Sequence, residues 1–428
     1  MVPRVGKPST ASRVVLAFAI LAVLAGCGSS ARGGLSASAR ADSDPPAQQT
    51  VSNVCSSAVL GALGDIAVRV YHEGVSSERT TSALSFITHS IPLREAVELG
   101  DPAAARAAAQ ALLATGHMTS LRVSSRSGQT LVDAGVPDAL APLRGSILGA
   151  SGAPIASFVT SVWADNGFLA ETNGIAEGAT ALRAGGHSIA GSFRLPPGEL
   201  PAQGELTVHG DAYRYTSFEA TAYPTGGRLR VYLLKSISSI APLCGRADTD
   251  TVVNTVSRVA RLIYTSEGGR HALAQVRRVQ HNRSLLRAVA HRDPAAAKRA
   301  IASLLNHHIV RLRVSSDGRL LGDVGGPYVL APVRAPLRLG GRTIGSCVLS
   351  IQDDEGYKRL AGRLAGLRVL MYMGPRLVKN SLGPAPGAVP VSGSYRYRGR
   401  TFRVFTIHAE AFPSGPLRIA VLIPIPYA

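Results

Sequence analysis

The residue types in this chain that could bind a metal or move a proton are its helical histidines His281, His291, His307 and His308 and the acidic run Asp353-Asp354-Glu355. Their spacing supports neither use. His307 and His308 are adjacent, so on a helix they point in different directions, and no H-E-x-x-H pattern occurs. The acidic run is explained by a helix N-terminus, where carboxylates offset the exposed N–H groups. "GHSIAG" at 186–191 places its second glycine one residue too far for a nucleophile elbow, and no P-loop is present. The sequence therefore assigns no catalytic residue, no metal ligand and no cofactor, and the expectation is a protein that is not an enzyme. Binding chemistry is better served. Trp163, Asp165, Tyr213 and Tyr223, and later Tyr357, Tyr372, Arg376 and Phe412, put aromatic and charged groups on segments that could wall a small-ligand pocket. Each taken singly also fits an ordinary core or sheet-edge side chain.

Four cysteines are present. Cys55 opens one folded unit and Cys244 closes it, which predicts a Cys55–Cys244 disulfide in an exported chain. Cys347 lies in the apolar run "TIGSCVLSI" and reads as a small buried hydrophobe. No C-x-x-C spacing supports a zinc or redox site.

The elements that would position these residues occur twice. "LRVSSRSGQTLVDAG" at 121–135 returns as "LRVSSDGRLLGDVGG" at 312–326. "DPAAARAAAQALLATGHMTSLRV" from Asp101 matches "DPAAAKRAIASLLNHHIVRLRV" from Asp293, and "IASFVTSVWADNGF" from Ile155 matches "IGSCVLSIQDDEGY" from Ile344. "AYPTGGRLRVYLL" from Ala222 matches "AFPSGPLRIAVLI" from Ala411. Ordered matches at a nearly constant offset mean a duplicated domain, not an array of short repeats. Apolar residues at helical spacing predict helices over 52–75, 79–99, 251–265 and 268–291. Asp101-Pro102 and Asp293-Pro294 read as an N-cap followed by a first-turn proline. Strand, turn and strand follow, then a further strand, a helix from the acidic residues, and three more strands closed by Pro224-Thr225-Gly226-Gly227 or Pro413-Ser414-Gly415. The fold class is α+β, with long N-terminal helices packed on one face of an antiparallel sheet in each unit.

The repeated "V-S-S-x-G-x-L-x-D-x-G" hairpin, the "I-x-S-x-V-x-S-V/I-x-x-D-x-G" strand and the closing hairpin resemble the Cache family of PAS-like extracytoplasmic sensor domains. The resemblance covers both units. It implies a small-molecule pocket in each, between the sheet and the segment that covers it. No membrane helix or kinase, methyl-accepting or cyclase region follows, so signalling would pass to a separate membrane protein.

The first residues belong to export. Arg4, Lys7 and Arg13 precede the short apolar run "VVLAFAILAVLAG". Leu24-Ala25-Gly26-Cys27 resembles the bacterial lipobox, which implies lipidation at Cys27 and a chain held on the outer face of the bacterial cytoplasmic membrane. No other apolar run reaches the roughly 18 residues of a membrane span. Residues 1–26 thus read as signal peptide and 27–50 as a flexible tether reaching about 25 Å. Residues 51–246 and 247–428 are the two Cache-like units.

Charge separates the units. Residues 51–244 carry 13 Lys+Arg and 15 Asp+Glu, whereas residues 245–428 carry 28 and 10. Much of the excess lies at Arg258, Arg261, Arg270, Arg277, Arg278, Arg283, Arg287, Arg292, Lys298 and Arg299. Anionic lipid or an envelope polymer would suit such a surface. Charge alone would admit nucleic acid, but the location argues against it, and a 5% aromatic content with one Trp suggests no base-stacking platform, so no nucleic-acid partner is expected. Two functions are therefore carried forward. One is non-catalytic small-molecule sensing or capture. The other is a structural envelope lipoprotein whose basic second unit binds anionic polymer or lipid.

Overall fold

The computed structural model describes residues 52–427 apart from 193, 267–268 and 306–308. The signal segment, Cys27, the tether and the His307-His308 pair lie outside the described residues. Helix starts follow the capping residues. α1 (Asn53–Ser76) begins where the Ser52 hydroxyl accepts the Cys55 N–H at 3.1 Å. α2 (Glu78–Thr88) begins at Ser77 and α3 (Ile91–Leu99) at Ser90. The expected helix over 79–99 is therefore two helices, because Pro92 cannot donate back to α2 and Ser90 caps a new start. α4 (Pro102–Ala114) opens as expected, with Asp101 Oδ1 accepting the N–H groups of Ala103 and Ala104 at 2.8 and 3.1 Å.

The strands of the first unit are β1 (Ser120–Ser125), β2 (Thr130–Gly135), β3 (Ala139–Leu140), β4 (Leu143–Leu148), β5 (Pro154–Ser161) and β6 (Trp163–Ala164). After α5 (Asp165–Ala176) come β7 (Ala179–Ala184), β8 (His187–Gly191), β9 (Gln203–Val208), β10 (Asp211–Thr221), β11 (Arg228–Ser236) and the short α6 (Ile237–Ile240). The second unit repeats the order with α7 (Asp248–Ser266), α8 (Arg270–Gln280), α9 (Arg283–Ala290) and α10 (Pro294–Leu305). Here too an expected single helix, 268–291, divides, at the Asn282 cap on the Leu285 N–H. β12 (Arg311–Ser316), β13 (Arg319–Gly325), β14 (Tyr328–Leu330), β15 (Val333–Leu339), β16 (Arg342–Ser350) and β17 (Gln352–Asp353) follow. α11 (Asp354–Ala365), β18 (Arg368–Met373), β19 (Arg376–Asn380), β20 (Gly393–Tyr397), β21 (Arg400–Pro413) and β22 (Gly415–Ile425) complete it.

The class is α+β, and the sheets are antiparallel. Each unit holds two sheets of four or more strands where the sequence reading had one, and β3 and β6 of the first unit pair as a further two-stranded ribbon. The first unit has orders β2-β1-β5-β4 and β8-β7-β11-β10-β9. The second has β13-β12-β16-β15 and a larger sheet in which β20, β21, β22, β18 and β19 repeat the β9-to-β8 order. α5 and α11 lie between the four-stranded sheet and most strands of the later one, although β14 and β17, which precede α11, join the later sheet of the second unit.

The three largest apolar clusters follow from this division. α2–α4 cover the first four-stranded sheet and α8–α10 cover its counterpart, each pair of layers closing its own lobe. The third cluster is shared by both units. Val59, Leu63, Ile66 and Val70 of α1 meet Val256, Val259 and Ile263 of α7, and both later sheets pack onto this layer. α1 also touches α5 and α11, and α7 touches α11 and α5, so the two units meet reciprocally. On length and mean hydropathy Asn53–Thr88 also passes as a membrane span, which the search for unbroken apolar runs missed because polar residues interrupt it. More than half of its apolar window, 56%, is buried within the protein.

The duplicated motif is spent on architecture. Gly135 has φ +100°, and a Cβ there would sit 2.2 Å from the Thr119 carbonyl oxygen. Gly325 repeats this at φ +135° and 2.3 Å from the Val310 carbonyl oxygen. Ser161 Oγ donates to the Leu140 carbonyl, and Ser350 Oγ does the same to Leu330. The motif aspartates bridge neighbouring strands: Arg122 Nε donates to Asp133 at 3.0 Å, and Arg311 and Arg313 both donate to Asp323 at 2.7 and 2.9 Å. Cys55 and Cys244 are joined by a disulfide with Cα atoms 5.6 Å apart, tying the start of α1 to the chain leaving α6. Cys347 is a buried free thiol whose ionisation burial pushes up to about 11.

Candidate functional site

The eight residues picked from sequence do not converge on one cavity. Trp163 is a half-buried wedge between the first lobe and the shared core. Its indole N–H donates to the Val70 carbonyl at 3.2 Å, and its ring meets Phe168 edge-on. Asp165 starts α5, with its backbone N–H on the Asp138 carbonyl at 2.9 Å. Tyr213 lies half-buried on the outer face of the first unit's five-stranded sheet. Tyr223 is buried near Asp133 and Arg122, where burial first and the Asp133 charge second push its phenol upward.

In the second unit Tyr357 is wholly buried, its hydroxyl donating to the Ala260 carbonyl at 3.1 Å, and it is a core residue rather than a pocket wall. Tyr372 lies under the Arg418 guanidinium, 4.2 Å from the ring centroid. Arg376 is exposed on β19. Phe412 is buried beneath Arg313 and Arg311, at 4.6 and 5.5 Å. Those two guanidiniums also face Asp323, where burial raises the carboxyl but their hydrogen bonds and charge outweigh it and hold it below its ordinary value. The acidic run Asp353-Asp354-Glu355 starts α11, as expected: Asp353 caps the Gly356 N–H at 2.7 Å, and Lys379 pairs with Asp354 and Glu355.

The arrangement with the most binding potential is on the outer face of the first unit's five-stranded sheet. Strand alternation sends Leu182 into the shared core and Ala181 and Arg183 to the other side. Residues 194–202, rich in proline, run across that side. Leu195 packs on Tyr215, Tyr232 and Leu234. The Tyr232 hydroxyl donates to the Leu200 carbonyl at 3.3 Å, and Ser217 Oγ donates to that of Ala202 at 2.9 Å. A covered sheet face results, with two cavities of about 560 and 310 Å³ that share Arg183 and Gly186.

Arg183 is 3% exposed. Its Nη2 donates to the Gly186 carbonyl within the same hairpin. Its buried Nε and Nη1 have no hydrogen-bond partner among the described residues. Arg194 and His187 also line the larger cavity, and no carboxylate does. Glu199 and Glu219 line the smaller one, together with Arg228 and Arg230.

The second unit does not repeat this site. Strand pairing puts Arg183 opposite Arg230 and Tyr372 opposite Arg418, so Tyr372 holds the position of Arg183. The face around it is filled by Leu370, Val389, Phe402, Val404 and Leu422. Sequence reasoning noticed Tyr372 and missed Arg183. The available signal was one arginine in the otherwise uncharged strand "ATALRA", just before two glycines.

No family model matches the chain, and no curated protein matches it. Solved structures do. The ligand-binding domain of the Pseudomonas fluorescens chemoreceptor CtaA, in complex with L-isoleucine, is similar over 43% of this chain and 98% of its own, at 10% identity and TM-score 0.25. The Vibrio cholerae LuxQ periplasmic domain gives the same coverages and identity at TM-score 0.23. An extracellular ligand-binding receptor from Desulfohalobium retbaense matches 39% of this chain and 40% of its own, at 10% identity and TM-score 0.21. Likeness at this level says nothing of what this chain binds.

Proposed function

We propose that the protein is an exported, lipid-anchored, non-catalytic binding protein built from two Cache-like units, 51–246 and 247–428. Its first unit captures a small molecule and passes the signal to a separate membrane protein. The observation that carries this reading is the covered cavity of the first unit, which keeps a charged floor where its duplicate is filled with apolar side chains. Pockets that orient small ligands use this mixture of apolar wall and few polar groups. Export and anchoring rest on "LAGC" after the apolar run. Cys27→Ala is expected to release the protein from the membrane fraction, and retention would overturn the anchor.

The binding claim is tested by melting residues 51–428 against amino acids, short carboxylates, polyamines, phosphate esters and nucleobases. A compound at 100 times its dissociation constant stabilises by about 2.7 kcal/mol. At least one class is expected to raise the melting temperature, and a blank across the panel would overturn the reading.

A second reading has one observation in its favour. A groove of about 600 Å³ in the second unit is lined by Lys358, Arg359, Arg363, Arg368 and Arg400, with Arg69 of α1 across from them and Glu355 as its acidic member. It would suit an anionic envelope polymer, which would then be the partner of the basic unit. Parts of the basic surface read from sequence are already engaged. Arg258 grips Glu177 at 2.9 and 2.6 Å, and Arg261 stacks over Phe405.

A further inference from the structure

We propose that the cleft between the two units is a separate binding site, which takes the phosphoryl dianion of inorganic phosphate or of a small phosphate monoester. It does not depend on the first unit's covered cavity. The cleft measures about 710 Å³ and lies where the end of β11 and the C-terminus of α5 face α7 of the second unit. Lys235 lines it and is only 4% exposed. Its ammonium donates to the carbonyls of Ala176 and Glu177 at 3.2 and 3.0 Å, which leaves one of its three N–H groups over. No carboxylate pairs with it among the described residues. The Glu177 carboxylate is turned instead to Arg258, whose Nε and Nη2 grip it at 2.9 and 2.6 Å. Buried cations normally have an anion beside them. Here burial pushes the Lys235 pKa down, and the nearby Glu177 charge offsets this only in part.

The fold does not demand this lysine. The repeat aligns Lys235 with Pro424 and the end of α5 with the end of α11. There the Ala365 carbonyl takes the neutral Tyr427 hydroxyl at 2.9 Å. A hydroxyl does in the second unit what a buried charge does in the first, so the charge is left for another use. The remaining donors select the anion. Arg258 has spent its fork on Glu177, and Nη2 of Arg261 faces the Thr406 carbonyl at 3.4 Å. The cleft therefore offers single donors from different elements. They are the Lys235 ammonium, the Ser257 hydroxyl, which has no partner among the described residues, and Arg261 one turn along α7. A carboxylate answers a fork with two oxygens in one plane, whereas a phosphoryl group presents three acceptor oxygens in different directions. Charge agrees: three cations against one carboxylate leave an excess that a dianion matches. Pro242 and Leu243 wall the same cleft and leave room for a small organic group. A ligand held there touches both units and ties β11 to α7.

The test measures affinity by calorimetry on residues 51–428 at about pH 8, above the second phosphate ionisation at about 6. The probes are inorganic phosphate, glycerol phosphate, dimethyl phosphate and acetate. At least one of the first two is expected to bind, and the monoanions dimethyl phosphate and acetate at least tenfold more weakly. Binding of glycerol phosphate alone assigns an ester, and equal or tighter binding of inorganic phosphate assigns the free anion; both support the site. Lys235→Met should weaken binding at least 100-fold and Arg261→Gln at least fivefold. Arg277→Gln removes an exposed charge of α8 outside the cleft and should bind as the parent does. Undiminished binding by Lys235→Met, acetate binding as tight as phosphate, or an equal loss in Arg277→Gln would overturn the proposal. Should Lys235→Met fail to fold, undiminished binding by Arg261→Gln overturns it instead. No binding of either phosphate also overturns it, and leaves capture by the first unit standing on its own melting panel.

Discussion

At the scale of single residues, Arg183 and Gly74 show opposite uses of close packing. Arg183 is costly to bury, since two of its guanidinium nitrogens lose water without gaining a hydrogen-bond partner among the described residues. Gly74 serves stability. A Cβ at this position of α1 would come within 2.3 Å of the Trp163 indole and 3.1 Å of Ala141 Cβ. Gly74→Ala is therefore expected to cost about 1–3 kcal/mol by overpacking, against a gain of roughly 0.5–1 kcal/mol from helix propensity. Urea unfolding measures the net loss, and an unchanged or higher midpoint would show that Trp163 is not wedged there. Neither role was legible beforehand. The sequence shows Trp163 at the end of a strand, but its contact with Val70 joins residues 93 apart. The motif residues Asp133, Gly135 and Ser161 were conspicuous because they repeat, and the structure uses them for strand bridges, a tight backbone approach and a turn.

At the scale of elements, local chemistry carried the reading well. Asp101 and Asp293 start their helices, and the acidic residues at 353–355 start α11, because capping acts within a few residues of itself. The helix over 79–99 was read as continuous because its apolar spacing runs through Ser90, where the cap interrupts it. Division of each unit into two sheets was hidden for a different reason. Strand alternation reports which face is buried, not which sheet a strand joins. The Cys55–Cys244 disulfide spans 189 residues and ties α1 to the end of α6. By loop-closure entropy its removal costs roughly 5 kcal/mol. Cys244→Ser is expected to lower the melting temperature, and to do so equally with and without reductant. A melting temperature equal to that of the oxidised parent would contradict the clamp.

At the scale of the molecule, the two units repeat one order of elements, and the proposed function has them differ in use. α1 and α7 lie together in one apolar layer, so the boundary near residue 246 runs through a shared core. Charge composition separates the units and points at the basic second one. The buried arginine, Arg183, is in the first unit, whose formal charge is slightly negative, and a buried charge weighs more in a site than solvated ones. The most direct measurement is hydrogen–deuterium exchange on residues 51–428 with and without the best-stabilising compound of the panel. The account expects new protection over β7, β8 and residues 194–202, with β18, β19 and the segment leading to β20 unchanged. Protection confined to the second unit, or spread evenly over both, would contradict the claim that the first unit alone holds the working pocket.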